Sequence, residues 1–254
     1  IGQKGDFYTS VSVGNLFGEL LAFQFAEWFE KSATENATGQ KKCLQLVESG
    51  THNGQLALDI LRWFKQFRPE IFQKLDYFIL EPSSRHRDWQ QETLAEFSDQ
   101  VSWFASWSDF PRSAFRVPRF TIVFSNELFD AMPIHRFGWD AKLQSWFEWG
   151  VGWNEDNFVW KRLLENQRAP IPYPQLAPEL LAVLPDGFIT EICPAATAWW
   201  KEAASIIDSG KLVAIDYGLL AEEFLTPERS HGTARSYFQH RASSDLLARP
   251  GEQD

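Results

Sequence analysis

Short apolar runs alternate with helical patterns through the first half of the chain, and this alternation restricts the fold more than any other feature. Helical patterns lie at 56–67 and 83–97. The predicted strands are 43–47, 76–80, 101–105 and 120–124. Strands and helices that alternate at these intervals are typical of parallel βαβ units, whose crossovers are right-handed and whose helices cover both faces of the sheet.

The second half changes character after Pro133. Residues 134–165 are rich in Trp and Phe with two-residue alternation, which predicts an antiparallel β insertion. A helix is then predicted at 195–207 and a fifth core strand at 211–215, and 219–254 is predicted as loop with one weak helix. The pattern therefore predicts one α/β domain over residues 1–254, a doubly wound sheet with an antiparallel insertion.

Composition excludes several classes of protein. Hydrophobic residues make up 44% and charged residues 23%, which is typical of a globular chain. Twenty-four Lys and Arg against 34 Asp and Glu give a net charge of −10, so nucleic acid is a poor partner for the surface as a whole. No apolar run has the ~18 residues of a membrane span. The two cysteines and the histidine spacing predict no metal site.

The ends of the chain carry a weaker expectation. It begins at Ile1 without a Met and stops at Asp254 in a polar segment. We expect residues to be missing from both natural ends, so any targeting peptide would precede the printed sequence.

Acidic side chains follow the predicted strands where ligands bind in open α/β sheets, at the carboxyl ends. All five strand ends carry a carboxylate at the end or within a few residues. The segments concerned are 48–54, 81, 106–109, 126–130 and 216–218. Asp109 and Asp216 enter the set of candidate site residues in this way.

The segment 48–54 follows a strand and opens a helix, as a nucleotide-binding loop does. Gly50 permits a tight turn with positive φ, and Gly54 permits close approach of the backbone to a ligand. Glu81 ends the next strand, where an acid can accept both hydroxyls of a ribose. An ordinary strand-to-helix turn is the alternative for the loop alone. Together with Glu48 and Glu81 it predicts an adenosine-type cofactor, either a dinucleotide or S-adenosyl-L-methionine (SAM).

A second polar segment, 126–133, comes directly after the buried strand at 120–124. Asn126, Glu127 and Asp130 could orient an amine or a guanidinium and stabilise its positive charge. The alternative is that Asp130 only caps a short helix. Near the start of the chain, Asp6 and Thr9 in the segment after Gly5 are equally well explained as a turn and a helix cap.

Several blocks in fixed order resemble the MidA-like family of SAM-dependent methyltransferases, the family of the mitochondrial protein arginine methyltransferase that assists complex I assembly. The resemblance covers nearly the whole chain. The matching blocks are Gly5–Ser10 with Leu16–Leu21, Leu46–Glu48, Asn126–Pro133, Ile215–Gly218, and Gly232–Tyr237 with His240.

The resemblance implies a class I methyltransferase fold with SAM over the ends of the first two strands. It implies that Glu48, Gly50, Gly54 and Glu81 hold the cofactor, and that Asn126, Glu127 and Asp130 face the transferred methyl group. It also implies that Gly5, Asp6 and Thr9 lie beside the cofactor. The acceptor would be an arginine of a partner protein, in the mitochondrial matrix of a eukaryote or the cytoplasm of a bacterium.

The glycine loop departs from the family form E-x-G-P-G-x-G, because the chain has Ser49, Thr51 and His52 within it. We therefore keep open a non-catalytic assembly protein with the same fold. Its partner surface would be the Trp-rich insertion, which contains Trp139, Trp146, Trp149, Trp153 and Trp160. A dinucleotide oxidoreductase shares the loop and the strand-end acid but lacks a use for the 126–133 segment.

For an active enzyme, carboxylates must localise the charge of the acceptor guanidinium and leave one nitrogen free to attack. We assign this role to Glu127 and Asp130, with Asp216 as a third candidate.

Overall fold

A computed structural model describes residues 14–34, 43–110, 119–168 and 170–253. This part of the chain divides into two compact units. The parallel-sheet unit contains the described residues of 14–131 and 198–217, and the antiparallel unit contains those of 132–197 and 218–253. The single-domain organisation stays a prediction.

Five parallel strands form the sheet of the first unit. They are β1 (Cys43–Ser49), β2 (Leu75–Leu80), β3 (Val101–Phe104), β4 (Arg119–Asn126) and β9 (Gly210–Ile215). Their order in the sheet is β3-β2-β1-β4-β9. The chain moves outward in one direction from β1 to β3 and then returns to the other side of β1. This order confirms the doubly wound, Rossmann-like fold and places the topological switch point between β1 and β4.

Helices cover both faces of the parallel sheet. They are α1 (Leu16–Thr34), α2 (Gln55–Phe67), α3 (Pro69–Phe72), α4 (Ser84–Thr93) and the second part of α6 (Pro194–Ser205), with 3₁₀ turns at Ala95–Phe97 and Trp107–Asp109. Leu44 and Leu46 of β1 point into the core formed with α1 and α2. Side chains alternate between faces, so Ser49 points the other way, and the Trp199 indole of α6 donates to its hydroxyl at 3.1 Å.

An aromatic contact joins the core of this unit. Phe124 of β4 is fully buried, and its ring centroid lies 5.0 Å from that of Phe25 on α1. The Tyr77 ring of β2 packs edge-on to Phe124, with its centroid 6.5 Å away. Phe124 therefore links α1 to the sheet and lies between the first helix and the second strand.

The antiparallel unit contains a four-stranded sheet of order β7-β6-β5-β8. Its strands are β5 (His135–Asp140), β6 (Ser145–Asn154), β7 (Asn157–Arg162) and β8 (Ile189–Ile192). The remaining elements are α5 (Pro178–Leu181), α7 (Ala221–Phe224), 3₁₀ turns at Glu165–Gln167 and Pro227–Arg229, and a hairpin of β10 (Ser236–Phe238) and β11 (Arg241–Ser243).

The sequence predicted the strands of the insertion but not β8 or the hairpin. The expectation of loop and one weak helix after residue 219 was wrong for 236–243, which pair as two short antiparallel strands. Strands of three and four residues show no measurable alternation, and their pairing depends on partners distant in the chain. β8, for example, pairs with β5 through Ile192 and His135.

Across the described residues, no helix combines the length and the apolar character that a membrane crossing requires.

The first prediction concerns the aromatic link at Phe124. Phe124→Ala removes a fully buried ring that lies between helix α1 and strand β2. We expect the free energy of unfolding to fall by about 3–5 kcal/mol. Phe67→Ala, at the end of α2 where the ring is 49% exposed, is the control and should cost about 1 kcal/mol or less. Chemical denaturation of both variants measures this difference; equal losses would contradict the placement of Phe124 in the core.

Candidate functional site

The loop between β1 and α2 has an unusual backbone. Gly50, His52 and Gly54 all have positive φ, at 82°, 49° and 89°. These are the three positions that hold glycine in the family form of the loop. His52 is solvent-exposed, and histidine is among the residues that tolerate this conformation best. The chain therefore keeps the backbone path of the glycine loop although its middle glycine is absent.

Positive φ favours glycine at both positions of the loop, and at Gly50 a close approach adds to this preference. A Cβ on Gly50 would lie 3.0 Å from Cδ1 of Leu128, in the segment after β4. A Cβ on Gly54 would lie 3.4 Å from the backbone of Gln90 on α4. The loop is thus packed between the segment after β4 and helix α4, and its turn is closed by a hydrogen bond from Gly54 N to Thr51 O at 2.9 Å.

Glu48, the last acid of β1, is buried on the core face of the strand. Its side chain lies on the same face as Leu44 and Leu46, and the Tyr77 hydroxyl of β2 donates a hydrogen bond to its Oε2. Burial raises the pKa of Glu48 from 4.5 to about 7, although the bond from Tyr77 acts in the opposite direction. This arrangement ties β1 to β2 directly before the loop.

Glu81 follows β2 and is surrounded by donors. It is buried, with only 6% of its surface exposed. Its Oε1 accepts from the backbone N–H of Ser83 at 2.9 Å, and its Oε2 accepts from Nε2 of Gln90 at 3.1 Å. Nδ1 of His86 lies 3.5 Å from the same Oε2. The carboxylate is therefore held in one orientation at the end of the strand.

Asp109 lies in the 3₁₀ turn after β3. Its Oδ2 accepts a hydrogen bond from the Ser106 hydroxyl at 2.7 Å. Trp107 of the same turn is buried, with its ring centroid 5.5 Å from that of Trp199 on α6. The turn thus anchors itself in the apolar layer while Asp109 closes it on the polar side.

The segment after β4 is fixed by the end of β9. Glu127 has a positive φ of 47°, and its N–H donates to Ile215 O at 2.8 Å, which extends the β4–β9 pairing by one residue. Asp216 accepts from the backbone N–H of Phe129 at 2.7 Å and from that of Tyr217 at 2.8 Å. Both carboxylate oxygens of Asp216 therefore accept hydrogen bonds from backbone N–H groups. Through the N–H of Phe129, Asp216 positions the segment that carries Glu127 and Asp130.

The carboxylate of Asp130 interacts electrostatically with that of Asp216. Burial raises the pKa of Asp130 above its ordinary value, and the negative charge of Asp216 raises it further. The negative charge that disfavours ionisation of Asp130 would be relieved by a bound cation. Asn126 ends β4 beside them and is half-buried.

The sheet brings most of the predicted site residues to one edge. Glu48, Gly50, Gly54, Glu81, Asp109, Asn126, Glu127, Asp130 and Asp216 all lie at or just after the carboxyl ends of the five parallel strands. Gly5, Asp6 and Thr9 lie outside the described residues. The binding and catalytic roles of all these site residues, both the nine at the strand ends and the three outside the described residues, stay predictions.

One buried residue at this edge escaped the sequence analysis. Gln90 is fully buried on α4 and contacts His52, Glu81 and Trp103. The helix around it is polar, so nothing in its periodicity distinguishes a buried glutamine from an exposed one. Only the fold shows that Gln90 is part of this edge, because its hydrogen-bond partners lie in three other segments of the chain.

The tryptophans of the antiparallel unit fall into two groups. Trp139 and Trp146 are buried and pack against each other with ring centroids 5.1 Å apart. Trp153 and Trp160 are exposed, at 57% and 36%. The insertion therefore has both an aromatic core and an aromatic surface.

Across the described ranges, no group of three or more His, Cys, Asp or Glu side chains could hold a metal ion.

The fold and the loop geometry define a Rossmann-like, nucleotide-binding class of protein. A family model described as "Putative S-adenosyl-L-methionine-dependent methyltransferase" matches residues 20–254. The chain belongs to this family of SAM-dependent methyltransferases, which confirms the resemblance and decides between the two cofactors that the sequence left open in favour of SAM.

Relatives and solved structures agree with the family. The mitochondrial protein arginine methyltransferase NDUFAF7 of Danio rerio is 29% identical over 86% of this chain and 53% of its own length. That of Mus musculus is 28% identical over 100% and 57%. A crystal structure from Burkholderia thailandensis bound to S-adenosyl-homocysteine has a TM-score of 0.72 at 27% identity, covering 98% of this chain and 59% of that one. The chain thus spans a little over half the length of these relatives.

The residues present fit the cofactor. The loop has a bare backbone at Gly50 and Gly54, where a Cβ would close the space. Glu81 offers the two carboxylate oxygens that ribose hydroxyls require as acceptors, on a rigid mount. His52 is exposed, and its ring centroid lies 6.4 Å from that of His86.

The second prediction concerns the buried acid of β1. Glu48 is protonated more readily in the folded than in the unfolded chain. Between its unfolded pKa of 4.5 and its folded pKa of about 7, the folded state holds a proton that the unfolded state has released. The contribution of Glu48 to the free energy of unfolding therefore falls as the pH rises through this window, and this contribution is constant above it.

Glu48→Gln keeps an acceptor for the Tyr77 hydroxyl and removes the titration. We expect its stability relative to the natural chain to rise, on the order of 3 kcal/mol, from pH 4.5 to 8. Glu70→Gln, at an exposed position of α3, is the matched control and should show no such trend. Urea unfolding at a series of pH values measures it; parallel curves for Glu48→Gln and the natural chain would contradict the raised pKa.

Proposed function

We propose that this chain holds SAM across the ends of β1 and β2 and transfers its methyl group to an arginine of a partner protein. The observation that carries the proposal is the backbone of the loop, which has positive φ at Gly50, His52 and Gly54 beside the buried carboxylate of Glu81. When bound, SAM supplies a methyl group on a sulfonium, which is a strong leaving group.

The cofactor side of the site depends on two groups. Glu81 would accept the ribose hydroxyls, and the loop at Gly50 and Gly54 would let the cofactor approach the backbone. Asp109, at the next strand end, is our candidate for the base of the nucleoside. Gly5, Asp6 and Thr9 complete the proposal on the strength of the family resemblance.

The acceptor side depends on charge. A guanidinium is protonated at neutral pH, so its attack requires carboxylates that localise the charge and orient the nitrogens. Glu127 and Asp130 are carried on a segment that Asp216 fixes through the N–H of Phe129. Repulsion between Asp130 and Asp216 favours a cation there. Asn126 would orient the acceptor through its amide.

Similarity to named proteins supports the acceptor class. The relatives from Danio rerio and Mus musculus are named protein arginine methyltransferases and are named mitochondrial. We accordingly propose a protein arginine as acceptor, the mitochondrial matrix as location in a eukaryote and the cytoplasm in a bacterium. The net charge of −10 favours a basic protein over a nucleic acid as substrate.

The third prediction tests the cofactor. We expect calorimetry to detect binding of SAM and S-adenosyl-homocysteine to the natural chain and none of NAD. Glu81→Gln should weaken SAM binding by about tenfold or more, because one acceptor of the ribose hydroxyls becomes a donor. Glu92→Gln, exposed on α4, carries the same change in charge and should bind SAM as the natural chain does.

Two results would count against this proposal. Binding of NAD in preference to SAM would return the dinucleotide alternative. The absence of any binding would favour an assembly protein whose loop keeps its shape but has lost its cofactor.

The fourth prediction separates binding from catalysis. Glu127→Gln should reduce methyl transfer to an arginine-containing protein by at least about a hundredfold, since a neutral amide no longer balances the guanidinium charge. SAM affinity should stay within about twofold of the natural value, because Glu127 is assigned to the acceptor. Transfer is followed with a radiolabelled methyl group. Simultaneous loss of SAM binding would make Glu127 a structural residue of the loop.

An interaction function is the second candidate, and an exposed aromatic face supports it. Val151, Trp153, Phe158 and Trp160 form two directly opposed pairs on one face of the β6–β7 hairpin, and all four are exposed. Exposed apolar patches on soluble proteins commonly mark partner surfaces. A partner protein bound there could be the methyl acceptor or an assembly partner.

A further inference from the structure

Gln90 of α4 lies at the junction of three strand ends. It has no exposed surface, and its side chain has three hydrogen bonds to different segments. Nε2 donates to the backbone carbonyl of His52 at 2.9 Å and to Oε2 of Glu81 at 3.1 Å. Oε1 accepts from the indole Nε1 of Trp103, on β3, at 3.0 Å. A glutamine amide offers two donors, and both are used here.

The orientation of this amide follows from chemistry. An indole N–H can only donate, so the atom of Gln90 that faces Trp103 must be the oxygen. The nitrogen then faces the carbonyl of His52 and the carboxylate of Glu81, and both of these can only accept. Trp103 therefore determines which end of the amide meets the loop.

We propose that Gln90 is a positioning residue for the cofactor: it locks the loop carbonyl of His52 and the carboxylate of Glu81 into one fixed relation. The proposal rests on the proposed function, since it assigns Gln90 a part in SAM binding without contact to SAM. It also gives a reason for the strained backbone at His52. The carbonyl that results from the positive φ has a buried donor waiting for it.

The packing around Gln90 supports this role. The Gly54 Cα approaches the helix so closely that a Cβ there would lie 3.4 Å from Cα of Gln90. The loop and α4 are therefore in contact at both the backbone and the side-chain level. A change of length or polarity at position 90 would be transmitted to the loop rather than absorbed by solvent.

The test reverses one hydrogen-bonding group at nearly constant shape. Gln90→Glu keeps an acceptor for Trp103 but places a carboxylate oxygen against His52 O and Glu81 when ionised. We expect the Kd for S-adenosyl-homocysteine at pH 8 to rise at least about tenfold. Gln91→Glu, exposed on the same helix, adds the same charge one position away and should leave the Kd within about twofold of the natural value.

A pH series distinguishes positioning from simple damage. The introduced carboxyl faces Glu81 from the end of β2, His86 from its own helix, the backbone of His52 from the loop and the indole of Trp103 from β3. The carboxylate of Glu81 raises its pKa, so at pH 5.5 it is protonated and can donate again. The ratio of the two variants' Kd values should therefore fall to about threefold or less at pH 5.5. The ratio to Gln91→Glu cancels the pH effects that both variants share, including those of the ligand itself.

The outcomes separate this proposal from the proposed function. If the natural chain does not bind the ligand, the proposed function fails. If it binds and Gln90→Glu matches Gln91→Glu at pH 8, or is equally weak at both pH values, the positioning role is overturned. Should Gln90→Glu not fold, Trp103→Phe removes the donor that orients the amide and keeps an aromatic ring; we expect about a threefold to tenfold weaker affinity, and unchanged affinity would refute the role.

Discussion

The parallel pairing of β1 on both of its edges is the constraint on which the rest of the site depends. Glu48 pairs in register with Ile79 of β2 on one side and with Phe124 of β4 on the other. Because the chain leaves β1 toward β2 and returns from β3 to β4 on the other side, the segments on the two sides diverge and leave a crevice at the end of β1. The loop at 50–54 enters this crevice, and its conformation is set by what lies on either side. Leu128 closes one side, and helix α4 closes the other.

Among the described residues of the parallel-sheet unit, both non-glycine residues with positive φ lie at this edge of the sheet. His52 and Glu127 both have positive φ without being glycine, which costs roughly 1–2 kcal/mol each. The backbone of each strained residue has a fixed hydrogen-bond partner. The side-chain amide of Gln90 donates to the His52 carbonyl, and the Glu127 N–H donates to the carbonyl of Ile215. Strain of this kind persists where surrounding structure determines it, and it clusters at ligand sites. The two positions flank the place where the cofactor and the acceptor would meet.

Sequence patterns predicted the parallel sheet well because four of its five strands are six to eight residues long. The short β3 was recognised from its place in the alternation of strands and helices. They also placed the acids correctly, since a strand end is a local property. Two kinds of feature escaped them. Strands as short as β8 and β10 depend on pairing partners far along the chain. The use of an acid depends on its neighbours in space, so the sequence could not show that both oxygens of Asp216 accept hydrogen bonds from backbone N–H groups.

Glu48 and Glu81 show how the fold gives two similar acids different work. Both follow the apolar runs of their strands, and no sequence pattern distinguishes them. Side-chain alternation turns Glu48 into the core formed by α1 and α2, where Tyr77 binds it and burial raises its pKa to about 7. Glu81, just beyond the end of β2, instead meets a backbone N–H and the amide of Gln90. An acid that the core favours in its neutral form is suited to joining strands, whereas an acid surrounded by donors is suited to accepting hydroxyls. We therefore propose the acid of the second strand as the ligand-binding one, with the first strand contributing its loop.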